Sequence, residues 1–351
     1  MRGSWLYRED TAEKPSRARQ LAVLIRGGGV AAFCCAYLLN KAGFRIDLEP
    51  VDRPRLPVIL LGEQAIALIR DIFEQPGLFA ALPRIRKRIV AWGQNGAWGP
   101  DSKPVAVEHS AVVVSEEMLL DAIRPALIPT ESQEASWTIL AAPPLPARAI
   151  EHRFGSRTAS AQQVTLKEGS DPHACWIESL DHGWLFLVPG WLLSVGAPAD
   201  ALLAKSRVIA SEITNVAGSS REFPAFARIA SPLCAPGWLA CGTAAMAFDP
   251  ICGDGTAHAI REAILASAVI RGLAGGGSSD ELLAHYEARL TAGFRRHLIL
   301  CRQFYSSGGK GELWTRELGA IDRGIQWADA KLGAHANFRY QLRGFELEPV
   351  S

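Results

Sequence analysis

Apolar residues first gather at 21–25 (LAVLI), a short continuous run that suits a strand covered on both faces of a parallel sheet. The run ends at Gly27-Gly28-Gly29. The stretch after it, VAAFCCAYLLNKAG, is small and apolar and predicts a helix, with Gly43 placed to end it. FRIDLE (44–49) alternates as a second strand. Together these segments make a β–turn–α–β unit of about 30 residues, the size of a dinucleotide-binding βαβ.

Beyond it, EQAIALIRDIF (63–73) carries helical apolar spacing, and PRIRKRIVAWG reads as a basic strand. VAVEHSAVVV (105–114) alternates as a strand. SEEMLLDAIRPAL opens a helix with acidic residues in its first turn, and SWTILAAPPLPARA ends a strand in a proline-rich break. Between 151 and 230 the strand signals recur (AQQVTL, HACWIE, GWLFLVP, WLLSVGAP), so a β-rich section is inserted between nucleotide-binding parts. The segment from Trp238 to Gly277 reads as strand, loop, long helix and glycine stop. The remainder, about 279–351, is largely helical. Residues 1–20 are polar and charged, a lead-in.

Charge narrows the partners. The 37 Lys and Arg nearly balance 36 Asp and Glu over 351 residues, which gives no general pull toward nucleic acid or an anionic membrane. No window reaches the ~18–20 apolar residues of a membrane span, and the N-terminus lacks a secretory apolar stretch, so the expected address is the cytoplasm. Arg84, Arg86, Lys87 and Arg88 read as a solvated strand face, with an acidic partner as the alternative. The seven cysteines form no C-x-x-C pair and are expected mostly as buried reduced thiols. The eight histidines are scattered, and no metal site is expected.

Two glycine turns carry the candidate chemistry. Gly27-Gly28-Gly29-Val30-Ala31-Ala32 fits G-x-G-x-x-G/A between a strand and a helix. Gly27 makes the tight turn, Gly29 lets backbone approach a pyrophosphate, and Ala32 keeps the helix close to the strand. The helix N-terminus supplies N–H groups and dipole for phosphate. The same sequence also suits a plain strand-to-helix loop. Glu49, at the end of the second strand, is the candidate carboxylate for a ribose hydroxyl. The second turn is Phe248-Asp249-Pro250-Ile251-Cys252-Gly253-Asp254-Gly255, which follows Trp238–Ala245 and precedes a long Ala-rich helix. Pro250 fixes the chain there, while Gly253 and Gly255 let backbone pass beneath a flat ring.

This layout resembles the FAD-dependent monooxygenases of the para-hydroxybenzoate hydroxylase type and their halogenase relatives. Those chains pair an N-terminal G-x-G-x-x-G with a later G-D-A-A and then P-x-x-G-x-G opening a helix. FDPICGDGTAHAIREAILA is most similar to flavoproteins that mature quinone-cofactor amine oxidases and dehydrogenases. The resemblance covers most of 20–275. It implies an α/β fold, with a Rossmann-like FAD-binding domain, a mixed β-sheet substrate domain and a helical C-terminal tail. It implies a discontinuous FAD-binding domain at 20–50, 105–145 and 232–278, and a substrate domain at 51–104 and 146–231. The helical C-terminal region is then 279–351. It also implies FAD contacts at Gly242, Thr243, Pro250, Gly253, Asp254 and Gly255. Gly183–Pro189 matches the family's G-W-x-x-x-x-P strand, so Trp184 and Phe186 are candidates to line a pocket for a planar substrate; ordinary sheet core is the alternative. Phe154-Gly155-x-Arg157 resembles the strand that opens the substrate sheet.

Three positions depart from the family. Thr243 stands where the family has Asp, Ser115 stands in the slot of an Arg, and Leu-Ala-Ala-Pro-Pro replaces an Asp-Gly motif around 139–143. At about a kcal/mol each, their joint loss would cost roughly two orders of magnitude in FAD affinity.

The resemblance implies an FAD-dependent monooxygenase that hydroxylates an aromatic small molecule or peptide through a flavin C4a-hydroperoxide. The narrower likeness implies a Trp or Tyr side chain of a partner polypeptide as substrate. Electrons would come from NAD(P)H bound transiently or from a partner reductase. Asp254 and His258 are the polar residues nearest the second turn; His258 is a candidate proton shuttle or a plain helix-surface side chain, and Asp249 a candidate cap. The departures favour a different class, a non-catalytic flavoprotein-fold subunit or chaperone. An NAD-dependent dehydrogenase would leave 238–262 unexplained.

Overall fold

The computed structural model describes residues 21–93, 103–124, 135–333 and 339–350. The 1–20 lead-in and the end of the 115–127 segment lie outside the described residues. In chain order the elements are β1 (Ala22–Arg26), α1 (Val30–Lys41), β2 (Arg45–Glu49), β3 (Ile59–Gly62), α2 (Glu63–Phe73), β4 (Arg84–Ala91), β5 (Val105–Val114) and α3 (Glu116–Ala122). Then come β6 (Trp137–Leu140), β7 (Ile150–Phe154), β8 (Thr158–Leu166), β9 (Ala174–Leu180), β10 (Gly183–Val188), β11 (Trp191–Val195) and α4 (Ala199–Leu203). β12 (Ile213–Pro224), β13 (Ala227–Ser231), β14 (Cys234–Ala235), β15 (Trp238–Ala240), α5 (Gly242–Ala245) and β16 (Met246–Ala247) lead to the long helices. These are α6 (Gly255–Ala274), α7 (Ser279–Gly308) and α8 (Glu312–Gly333), before a hairpin of β17 (Tyr340–Arg343) and β18 (Glu346–Pro349).

The first sheet has the order β14-β15-β6-β1-β2. β1 runs parallel to β2 and to β6, and β15 parallel to β6. Parallel strands need covering on both faces, which explains the unbroken apolar runs of β1 and β15. α1 packs into the same core with nine buried residues from Val30 to Leu39, so it is apolar nearly all round. Its main helical neighbour is α6, and the alanines of both helices permit the close approach.

The second sheet has eight strands in the order β12-β8-β11-β10-β9-β4-β5-β3. All its neighbours are antiparallel except β4 and β9. β5 pairs here with β3 and β4, so 105–114, expected within the FAD-binding domain, is hydrogen-bonded into this sheet. Alternation alone cannot assign a strand to a sheet, because a half-buried strand reads alike in either. A three-stranded sheet has the order β16-β13-β7.

The C-terminal helices are clamped to the second sheet by aromatic residues. Trp92, Trp184, Phe304, Tyr305 and Trp314 form one edge-on cluster. Each buried indole N–H finds an acceptor: Trp92 donates to the Phe304 carbonyl, Trp314 to the Leu180 carbonyl and Trp184 to the Tyr305 hydroxyl. The final hairpin was not anticipated by the largely helical reading of 279–351. Among the described residues no helix is long and apolar enough to cross a membrane.

Candidate functional site

A cavity of about 420 Å³ opens between the two large sheets. One wall is the first glycine turn at Gly28 and Gly29, with Ala141 and Ala142 beside it. Another is the second turn at Pro250, Gly253 and Gly255, and Phe186, Val188, Trp191 and Leu193 of β10 and β11 face both. Residues more than 200 positions apart in the sequence thus line one space.

The glycines differ in what they do. Gly27 has φ +141° and donates its N–H to the Glu49 carbonyl. A Cβ there would lie 3.1 Å from Ala141 Cβ, so Gly27 holds the turn shut against the neighbouring strand end. Ala32 is fully buried in α1, as the packing role requires. Gly29 is the N-cap of α1 in ordinary extended backbone, and a Cβ there would meet only Arg53 Nη2 at 3.4 Å. Gly253 is left-handed (φ +67°) and has only Arg88 Nη2 near, at 3.8 Å; Gly255 has nothing within 4 Å. These three positions leave room where a diphosphate and a flat ring would press on backbone. That cradle fits FAD.

Other predicted contacts are engaged elsewhere. Glu49 is 3.5 Å from Arg26 Nε, which explains the unusual Arg at the end of β1. Thr243 Oγ1 donates to the Ala141 carbonyl at 3.3 Å, and Ser115 caps α3 by accepting from Met118 N–H. Gly242 is left-handed, and a Cβ there would strike Ala31 Cβ at 2.8 Å. Asp254 does not line the cavity: its Oδ2 is 3.0 Å from His258 Nε2 and its Oδ1 is 3.7 Å from His297 Nδ1. Although burial opposes it, His258 and His297 hold the Asp254 carboxyl below its ordinary value. Phe186 lines the cavity, but Trp184 is buried in the aromatic cluster and does not.

Several groups were not legible in the sequence. Arg53 and Arg55 lie over the first glycine turn; Arg55 donates to the Gly28 carbonyl at 2.9 Å, and Arg53 forms a two-pronged pair with the buried Glu116. Glu116 also accepts from Leu56 N–H at 2.8 Å, which fixes the 53–56 segment. Two guanidinium groups beside a helix N-terminus make a site for a diphosphate. The available signal was Asp52-Arg53-Pro54-Arg55 directly after the second strand. The basic face of β4 is largely spoken for: Arg84 pairs with Glu63, Lys87 with Asp171, and Arg88 lies over the Phe186 ring.

Behind the second turn lies a fully buried ionic relay. Arg157 Nη2 donates to Asp249 Oδ2 at 2.5 Å, its Nη1 donates to Glu317, and its guanidinium lies 4.5 Å from the Tyr305 ring. Burial works against the Arg157 charge, but Asp249, Tyr305 and Glu317 outweigh it and raise its pKa. Asp249 Oδ1 also accepts from Ile251 N–H at 2.9 Å, the capping role expected of it. The turn carrying Pro250 is thus tied to the 155–157 corner and to α8.

Glu262 of α6 reaches the cavity from below and accepts the Gly242 N–H at 2.7 Å. Burial pushes its carboxyl up to about 8, against the opposing effect of that bond. Between the ordinary value of 4.5 and about 8 the folded protein therefore holds a proton that the unfolded chain has lost. The stability from this site is full below the lower value and is lost as pH rises through the upper one. Glu262→Gln keeps an acceptor for Gly242 and removes the titration. Its stability advantage over the wild type in urea unfolding should grow by on the order of 3 kcal/mol between pH 5 and pH 7.5.

Two of the eight histidines and two of the seven cysteines converge in one place. Donor atoms of Cys252, His297 and Cys301 lie within 4.8 Å of one another, as do those of Asp254, His258 and His297. His297 Nε2 accepts the Asp249 N–H at 3.0 Å, so that lone pair already has a partner.

No protein-family model matches the sequence, and no curated protein matches it. Solved structures share its fold. QhpG, a peptidyl tryptophan dihydroxylase essential for tryptophylquinone cofactor biogenesis, is 19% identical with a TM-score of 0.64, over 93% of this chain and 86% of that one. CmlS, a flavin-dependent halogenase, is 16% identical with a TM-score of 0.68, over 87% and 70%. Klebsiella pneumoniae HpxO, complexed with FAD and uric acid, is 14% identical with a TM-score of 0.59, over 89% and 97%. The mixed α/β architecture is shared with these three proteins.

Proposed function

We propose that the protein is an FAD-dependent oxidoreductase, a monooxygenase that hydroxylates an aromatic ring. The observation that carries this reading is the pair of glycine turns, distant in sequence, whose Gly29, Gly253 and Gly255 flank one cavity opposite Phe186. When bound, FAD would supply the redox chemistry that activates oxygen for transfer to the ring. The chain's own part is placement and protection. Gly29, the N-terminus of α1 and Arg53 take the diphosphate. The Pro250–Gly255 loop backs the ring system, and α6 aims its positive end there, which favours the negative charge of a reduced flavin. Phe186, Val188, Trp191 and Leu193 form an apolar wall that excludes water and offers a planar substrate a stacking surface. A tryptophan or tyrosine side chain of a partner polypeptide is the favoured substrate class, in line with the dihydroxylase that shares the fold. Electrons would come from NAD(P)H or a partner reductase. On this reading 20–50, 115–145 and 232–278 form the FAD-binding unit, and 105–114 joins the substrate sheet.

The test is the visible spectrum of protein produced with riboflavin supplied. Flavin bands near 370 and 450 nm, roughly those of the free cofactor, are expected on purification or after FAD addition. A colourless protein whose titration shows no change in FAD fluorescence would reject the enzyme reading. The second reading, a non-catalytic subunit on the same fold, draws on the Arg26–Glu49 pair and the Thr243–Ala141 bond, which engage two expected cofactor contacts. It predicts partner capture that is unchanged by loss of FAD.

A further inference from the structure

Cys252 and Cys301 are 49 residues apart in the chain, yet their sulfurs lie 3.9 Å apart at the edge of the second glycine turn. Cys252 is half-buried in the short turn between Pro250 and Gly253, both of which line the cavity. Cys301, from α7, is buried, and its sulfur is 3.2 Å from His297 Nε2. The remaining groups facing this cluster are Asp249, Asp254 and Arg157. We propose that Cys252 and Cys301 form a redox-active dithiol that reduces a hydroperoxide and closes to a disulfide, with Cys252 as the attacking thiol and Cys301 as the resolving one.

The roles follow from position. Only Cys252 is partly open, so a hydroperoxide reaches its sulfur first. The neighbouring Cys301 thiol and the His297 imidazole, against burial, bring the Cys252 thiol down to about 6, so the nucleophilic thiolate predominates at neutral pH. Burial and the Cys252 sulfur push the Cys301 thiol the other way, which keeps it protonated until it is needed. His297 Nε2 accepts from Asp249 N–H and is therefore unprotonated. That assigns its proton to Nδ1, facing Asp254 Oδ1.

The chemistry balances in two steps. Cys252 thiolate attacks the terminal oxygen of the hydroperoxide; the O–O bond breaks, the sulfur becomes a sulfenic acid, and water or an alcohol leaves after taking up a proton. The Cys301 thiol then attacks the Cys252 sulfur: the S–O bond breaks, and the departing hydroxide takes up the Cys301 proton and leaves as water. Two thiols lose two electrons in all, and the peroxide gains them. The two sulfurs must close by about 1.9 Å to reach disulfide length, a movement the short Cys252 turn is placed to make. The inference does not rest on flavin binding.

The test uses the full, reduced chain freed of reductant. One equivalent of hydrogen peroxide should remove two of the seven thiols, and peptide mapping should recover one cross-linked pair, 252 with 301, reversed by dithiothreitol. Before oxidation, Cys252 should react with iodoacetamide at least about tenfold faster than any other cysteine, in keeping with its thiolate character. Cys301→Ser should trap a sulfenic acid on Cys252 that dimedone labels, and Cys252→Ser should lose no thiol under the same treatment. If a variant fails to fold, the wild-type map alone decides. A cross-link at Cys34–Cys35, a Cys252 that stays reduced, or stoichiometric zinc retained by the purified protein with both thiols protected would overturn the proposal.

Discussion

Gly29→Val should leave the protein folded and weaken FAD binding by at least about two orders of magnitude, the loss of some 3 kcal/mol of contact. The backbone at Gly29 is extended, with φ −102° and ψ −176°, so valine meets no conformational penalty. Its Cβ would meet only Arg53 Nη2, at 3.4 Å, an ordinary contact. The isopropyl group would then fill the space over the first N–H groups of α1, where the diphosphate must approach. Fluorescence titration reads the affinity, and a thermal melt within a few degrees of wild type establishes the fold. Gly27→Val is the contrasting control. There φ is +141° and Ala141 blocks the Cβ, so that variant should lose stability and FAD together. A Gly29→Val protein that binds FAD as the wild type does would remove the support for a diphosphate at this turn.

Arg157→Leu should cost about 3–5 kcal/mol in stability, enough to leave little folded protein. The leucine would leave Asp249 without a countercharge and Glu317 with Arg316 alone, both carboxylate side chains being 0% exposed. Neither can turn to water without opening the packing between the second turn and α8. Arg157→Lys should fall between, because one ammonium retains the charge but cannot reproduce a fork that reaches both partners. Urea unfolding of the three proteins checks the order. A leucine variant as stable as the wild type would mean that this relay contributes nothing to the fold. Triple replacement of Arg157, Asp249 and Glu317 by apolar residues should recover part of the loss, because no charge is then left buried.

The half built on the parallel sheet was legible because its elements are buried on all sides and its turns need glycine. β1, α1 and β2 came from one apolar run, one small-residue helix and Gly43. The second turn declared itself through Pro250, Gly253 and Gly255. What the sequence could not show is which distant polar groups meet. Arg53 finds Glu116 63 residues on, and nothing local to either announces the other. The same holds for Cys252 and Cys301, and for Arg157 with its two carboxylates. Trp184 and Phe186 show a different limit. Alternation puts both on one face of β10, but where the cavity ends along that face depends on Tyr305 and Trp314, which arrive from the C-terminal helices. The sheet that 105–114 joins was not legible for a related reason, since partners and not pattern decide it.

The cavity wall on β10 and β11 is built from two rungs of one antiparallel ladder, Phe186 opposite Leu193 and Val188 opposite Trp191. The residues between them, Leu185, Leu187 and Leu192, turn away into a separate apolar cluster. Recognition and structural support are therefore interleaved along the same two strands yet held by different side chains. A combinatorial library at 186, 188, 191 and 193 recuts the binding surface without entering that second core. For an engineer, four positions form the dial, and the leucines between them are the casing.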